Sequence, residues 1–183
     1  MKDSVYRSRV TQSLSKQLAD TIDLRSQTRQ AHFNVKGANM EELKSLFDGL
    51  ARDLRQFADL IAERIRMLGG QANATVRFAA AESNLRDYPV DALDAHDHLE
   101  ALLSSYSRYE LDTRYHMKAA QEDKDSETAG LLQAILVSIE NNLWFLEACL
   151  EGVTIGHQAT KLPRWTSAFE SFAAVGTESE DAF

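Results

Sequence analysis

Asp59 and Glu63 stand four residues apart in Asp59-Leu60-Ile61-Ala62-Glu63, so a helix through this stretch carries both carboxylates on one face about one turn apart. Two carboxylates so placed can share a hard cation. They equally fit a solvated helix surface, because the same face carries Lys44, Asp48, Arg52, Arg55 and Arg66 with alternating sign. His32 adds an imidazole that a borderline metal accepts, although a histidine near a helix end also serves in cores and caps. Lys44 and Asp59 are fifteen residues apart, about 22 Å along one straight helix, so one end of that helix cannot reach the other. A two-fold partner would bring His32 and Lys44 of one chain beside Asp59 and Glu63 of the other, making two equivalent shared sites.

Four long amphipathic helices are available to position these groups. From about residue 8 to Val35, apolar Val10, Leu14, Leu18, Ile22 and Leu24 recur at mostly helical spacing before Gly37 interrupts. Asn39 with Glu42 reads as a capping box opening a second helix, whose stripe Leu43, Phe47, Leu50, Leu54, Phe57, Ile61, Ile65 and Leu68 runs to Gly69-Gly70. A short helical piece around Thr75 to Ala80 lies between the helical pairs. After Tyr88-Pro89, a third face is read through Leu93, His96, Leu99, Leu102, Leu103, Tyr106, Tyr109 and Thr113. A fourth follows in Leu131, Leu132, Ile135, Leu136, Ile139, Leu143, Leu146 and Leu150, ending at Gly152. Such helices need one another to bury their stripes, which predicts an all-α four-helix bundle.

The 183 residues fit one domain, and 44% apolar residues supply a core. Boundaries are expected at an N-terminal tail over 1–8, a bundle over 9–151, and an extension over 152–183 with a short docked helix around Thr166 to Ala174. The single Cys149 reads as a buried small hydrophobe. The N-terminus lacks the apolar run of a signal peptide, and no stretch reads as a membrane span, so a cytoplasmic protein without membrane contact is expected. There is no Gly-x-Gly-x-x-Gly, Walker loop, His-Glu-x-x-His or cysteine cluster, which excludes nucleotide-fingerprint, zincin and iron–sulfur readings.

The chain resembles the Dps family of miniferritins. The resemblance runs through Ala31-His32-Phe33-Asn34-Val35-Lys36-Gly37-Ala38-Asn39, Leu46-Phe47-Asp48-Gly49, Asp59-Leu60-Ile61-Ala62-Glu63-Arg64 and Met67-Leu68-Gly69-Gly70. It continues in Tyr88-Pro89-Val90-Asp91, Asp97-His98-Leu99, Asp125-Ser126-Glu127-Thr128-Ala129 and Leu143-Trp144-Phe145-Leu146-Glu147, so that it spans roughly residues 10 to 151. The resemblance implies a ferritin-like four-helix bundle with a short helix in its central crossover, assembled into a hollow dodecamer. It implies ferrous iron oxidised at sites across two-fold interfaces, preferably by hydrogen peroxide, and ferric mineral stored inside. His32, Asp59 and Glu63 match the family's catalytic metal ligands. Asp48 matches an acidic neighbour of that centre, and Phe33 stands where the family has a Trp.

Lys44 departs from the pattern, standing where the family supplies its second His. A protonated lysine has no lone pair for iron and repels a second cation, so one iron position is expected to be kept and the other weakened or lost. The cluster Glu122, Asp123, Asp125 and Glu127 is read as a cation-entry ring, or as loop and helix N-terminal charges. Lys2, Arg7, Arg9 and Lys16 are candidate DNA contacts, opposed by a formal net charge of -8. Two competing readings are a cage that sequesters iron or associates with DNA with little ferroxidase activity, and a small helical interaction module without iron chemistry. His96, His98, His116 and His157 carry no assigned role.

Overall fold

The computed structural model describes residues 2–37, 39–92 and 94–152. Among them are five helices and no strand: α1 (Lys2–Asn34), α2 (Met40–Met67), α3 (Val76–Glu82), α4 (Ala95–Glu122) and α5 (Ser126–Leu150). Short connections make α1 with α2, and α4 with α5, into two hairpin pairs; the pairs meet chiefly along α1 and α4, and α3 rests against α1 inside the crossover. The described residues form an all-α bundle of two helix hairpins.

The apolar stripes read from the sequence become the core. Leu14, Leu18 and Leu24 of α1 meet Phe47, Leu54, Phe57, Ile61 and Ile65 of α2, with Leu102 of α4 and Leu132 and Ile135 of α5, all essentially inaccessible. Removing such side chains from water is the main drive for pairing the helices. A polar ladder sets the register between α1 and α4. Gln17 Nε2 donates to Thr113 Oγ1 at 2.7 Å, and Thr21 Oγ1 meets the Tyr109 hydroxyl at 2.8 Å. Ser105 Oγ donates to Gln27 Oε1 at 2.8 Å, and Thr28 Oγ1 meets the Tyr106 hydroxyl at 3.2 Å. Each rung satisfies buried groups that would otherwise be orphaned, so sliding one helix past the other would break several bonds together.

Helix ends explain most departures from the sequence reading. Helix α1 begins at Lys2 rather than about residue 8, so the expected tail over 1–8 is helical from its second residue. Asn39 makes no side-chain cap; the capping box occurs at the start of α4, where Asp94 and Asp97 satisfy each other's main-chain N–H groups. The short crossover helix is capped by Thr75 and runs to Glu82. Helix α2 ends in a Schellman motif, with Gly69 at φ +82° and hydrogen bonds from Gly69 N to Arg66 O and from Gly70 N to Ile65 O, both 2.9 Å. On α4, His96 is exposed and His98 is buried, reversing the expected face at that turn. Leu93 and the expected helix around Thr166 lie outside the described residues.

By length and composition alone α5 could cross a membrane, contrary to the sequence expectation. In the bundle its Leu131, Leu132, Ile135, Leu136, Ile139 and Leu146 are core residues.

Candidate metal centre

His32 sits in the last turn of α1, where the chain turns into α2. Its Nδ1 lies 3.1 Å from the main-chain carbonyl of Lys44. A carbonyl only accepts, so the ring's Nδ1 carries the proton, and in the neutral imidazole Nε2 keeps the lone pair a metal requires. A hydrogen bond of this kind fixes tautomer and ring orientation at metal sites. Lys44, half-buried in the first turns of α2, therefore serves the histidine through its backbone whatever its side chain does.

The surroundings of His32 are built by α1 and α2 together. The Phe33 ring meets His32 edge-on, with centroids 5.5 Å apart and planes at 81°. Phe33 is 65% exposed, so it is not the core residue its apolar character would suggest. The Arg29 guanidinium lies 4.5 Å over its ring and donates to Asp48 Oδ1 at 3.0 Å. Arg52 approaches the other Asp48 oxygen at 3.6 Å. Asp48 is thus held by two arginines of its own chain. Arg29 was not singled out from the sequence; its one signal there is the four-residue spacing to Phe33.

Asp59 and Glu63 are both exposed on α2. Among the described residues no group of three or more His, Cys, Asp or Glu side chains converges to hold a metal. Within one chain, then, the two carboxylates and His32 do not form a common cluster.

The acidic cluster between α4 and α5 is partly engaged. Asp123 pairs with Arg9. Asp125 is buried, caps α5 by accepting from Thr128 N at 3.0 Å, and takes Arg64 Nη2 at 2.8 Å. Glu127 also pairs with Arg64, whose Nε donates to Thr128 Oγ1 at 2.9 Å. Glu122 is the last residue of α4. Of the basic candidates, Lys2 and Arg7 lie in the first turns of α1, while Arg9 and Lys16 line a cavity of about 250 Å³ with Ser13 and His116.

Of the remaining histidines, His98 and His116 are hydrogen-bonded inside the bundle. His98 Nδ1 and the Tyr88 hydroxyl share a hydrogen bond at 2.7 Å, and burial depresses the histidine's pKa. His116 bonds to Ser13, with its pKa lowered by burial and opposed by Asp112. His96 faces Glu100 at 3.8 Å in solvent. His157 lies outside the described residues.

A family model described as a ferritin-like domain matches residues 11–154. The DNA protection during starvation protein of Agrobacterium fabrum is 35% identical over 142 residues, covering 78% of this chain and 88% of that protein. Among solved structures, a tetragonal form of Mycobacterium smegmatis Dps superposes with a TM-score of 0.76 at 32% identity, covering 81% of this chain and 88% of that one. An archaeal Dps homologue from Halobacterium salinarum gives 0.77 at 27% identity, covering 85% and 87%. Sequence match and bundle geometry agree over the same helices, and the chain belongs to the ferritin-like superfamily as a member of its Dps miniferritin family.

Proposed function

We propose that this protein binds ferrous iron as a substrate at His32 of one chain and Asp59 and Glu63 of a second, oxidises it preferably with hydrogen peroxide, and stores the ferric product inside a dodecameric cage. The observation that carries this reading is the His32–Lys44 hydrogen bond, which in the neutral ring keeps the lone pair on Nε2. The two exposed carboxylates on α2 supply the anionic oxygens that ferrous, and still more ferric, iron favours. Because they do not join His32 within one chain, a two-fold related copy is the natural source of the missing half. Asp48, gripped by Arg29 and Arg52, acts from behind the site rather than as a ligand.

Lys44 makes the centre asymmetric, with one retained iron position and a second that is weak or empty. Should its side chain suppress oxidation altogether, the cage would still store iron by nucleation on its inner surface, and loss of rapid peroxide consumption with a retained iron core would mark that outcome. Cation entry near α4 and α5 falls to Glu122, because Asp123, Asp125 and Glu127 are bound to arginines. DNA contact is opposed by the charge of -8 and by the pairing of Arg9 with Asp123; no gel shift is expected at moderate salt.

Co-assembly of two defective chains tests the shared site. His32→Ala and Glu63→Gln assemblies should each oxidise iron slowly, whereas refolding the two chains together should restore activity at about one quarter of the interfacial sites. No recovery in mixed assemblies of correct size would overturn the proposal.

A further inference from the structure

Three side chains on one stripe of α1 strap down the segment that follows α3. Asp20 Oδ1 accepts from the Asn84 main-chain N–H at 2.7 Å. Asp23 Oδ2 accepts from Ser83 Oγ at 2.6 Å, and that oxygen in turn receives Leu85 N at 3.2 Å. Gln27 Nε2 donates to the Arg86 carbonyl at 3.0 Å. Asp20 differs from the other two in being completely inaccessible, and its Oδ2 has no hydrogen-bond partner among the described residues. A buried carboxylate with one oxygen unmatched is costly, whereas the protonated acid keeps its carbonyl bond to Asn84 and carries no charge.

We propose that Asp20 is a proton-controlled latch on residues 83–86: when protonated it holds the crossover segment closed against α1, and when ionised it allows that segment to open and hydrate the carboxylate. The charged groups around it reinforce this direction. Asp112 of α4, paired with Arg108 at 2.8 Å, adds like charge; Asp23 on α1 is turned to Ser83. Lys16 lies one turn earlier and acts on His116, while Ser83, Asn84 and Leu85 offer only neutral dipoles. Burial is the largest influence on Asp20 and raises its pKa; the Asn84 main-chain bond and the polar side chains of Ser83 and Asn84 oppose it, Asp112 adds to the rise, and the balance stands at about 6. The switch therefore falls in the mildly acidic range.

The sign follows from linkage. The closed form binds the proton more tightly than the open form, so opening becomes easier as pH rises from about 4 through 6 and levels off above. Hydrogen exchange of the Asn84 and Leu85 amides in the intact assembly reads this directly. After correction for intrinsic exchange, protection at pH 5 should exceed that at pH 7 by about tenfold. Asp20→Asn, which keeps an acceptor for Asn84, should abolish the pH dependence, and Asp112→Asn should shrink it by removing the nearby charge. Equal protection at both pH values in the wild-type chain, or an unchanged pH response in Asp20→Asn, would overturn the latch. Should Asp20→Asn fail to assemble, the wild-type profile and Asp112→Asn decide the matter between them.

Discussion

The Nδ1 of His32 and the main-chain carbonyl of Lys44 are 3.1 Å apart, so the residue that interrupts the family's metal pattern also orients the histidine that remains. The two roles are separable because one belongs to the backbone and the other to the side chain.

Lys44→His should therefore restore a second iron position without disturbing the first. The substitution leaves the carbonyl in place and replaces a repelling ammonium with a nitrogen donor. Anaerobic ferrous titration should rise from one tight iron per interfacial site to two, with faster peroxide-driven oxidation. An unchanged stoichiometry would show that Lys44 does not limit occupancy.

Arg64 ties α2 to the start of α5 through Asp125, Glu127 and Thr128. Its partner Asp125 has a side chain only 4% exposed. Arg64→Ala removes the charge-assisted hydrogen bonds to Asp125 and should cost about 1.5–3 kcal/mol. Denaturant unfolding should register the loss, and Arg64→Lys should recover only part of it because a lysine cannot reach three acceptors in a fork.

Lys124 closes α4 at φ +61°, the left-handed position that a Schellman turn reserves for glycine, with Lys124 N bonded to Gln121 O at 3.0 Å and Asp125 N to Ala120 O at 2.9 Å. Lys124→Gly should stabilise the fold by about 1 kcal/mol by removing the Cβ penalty. Thermal unfolding should show a Tm higher by a few degrees.

Gly70 poses the opposite case. A Cβ there would stand 2.4 Å from Thr11 Cγ2 and 3.1 Å from the Ile65 carbonyl oxygen. Gly70→Ala should thus destabilise by about 1–3 kcal/mol, and pairing it with Thr11→Ser, which deletes the clashing methyl, should recover part of the loss.

Buried His98 and half-buried His116 both have pKa values held below the usual 6.5, chiefly by removal from water. The unfolded chain then binds more protons than the folded one, so the stability they contribute is complete above about pH 6.5 and is lost as pH falls below it. This opposes the influence of Asp20 over the same range. His98→Gln with His116→Gln should reduce the loss of stability between pH 7 and 5, measured by chemical denaturation at each pH.

Local spacing in the chain already determined the helices and their inward faces. The stripe from Leu43 to Ile65 is buried as its three- and four-residue intervals require, because an amphipathic helix has only one face to hide. The spacing of Asp59 and Glu63 likewise put two carboxylates on one exposed face. Helix ends were harder, since a cap depends on competing main-chain partners: Asn39 had a suitable composition and made no side-chain cap, while Asp94 and Asp97 did. Tertiary structure alone decided that Lys44 meets His32 through its carbonyl, that Arg29 stacks on Phe33 while gripping Asp48, and that Asp20 is sealed against Asn84. Each of these joins residues on different elements or sets an environment by burial. Such energies depend on distance and desolvation, neither of which is written in the order of residues along the chain.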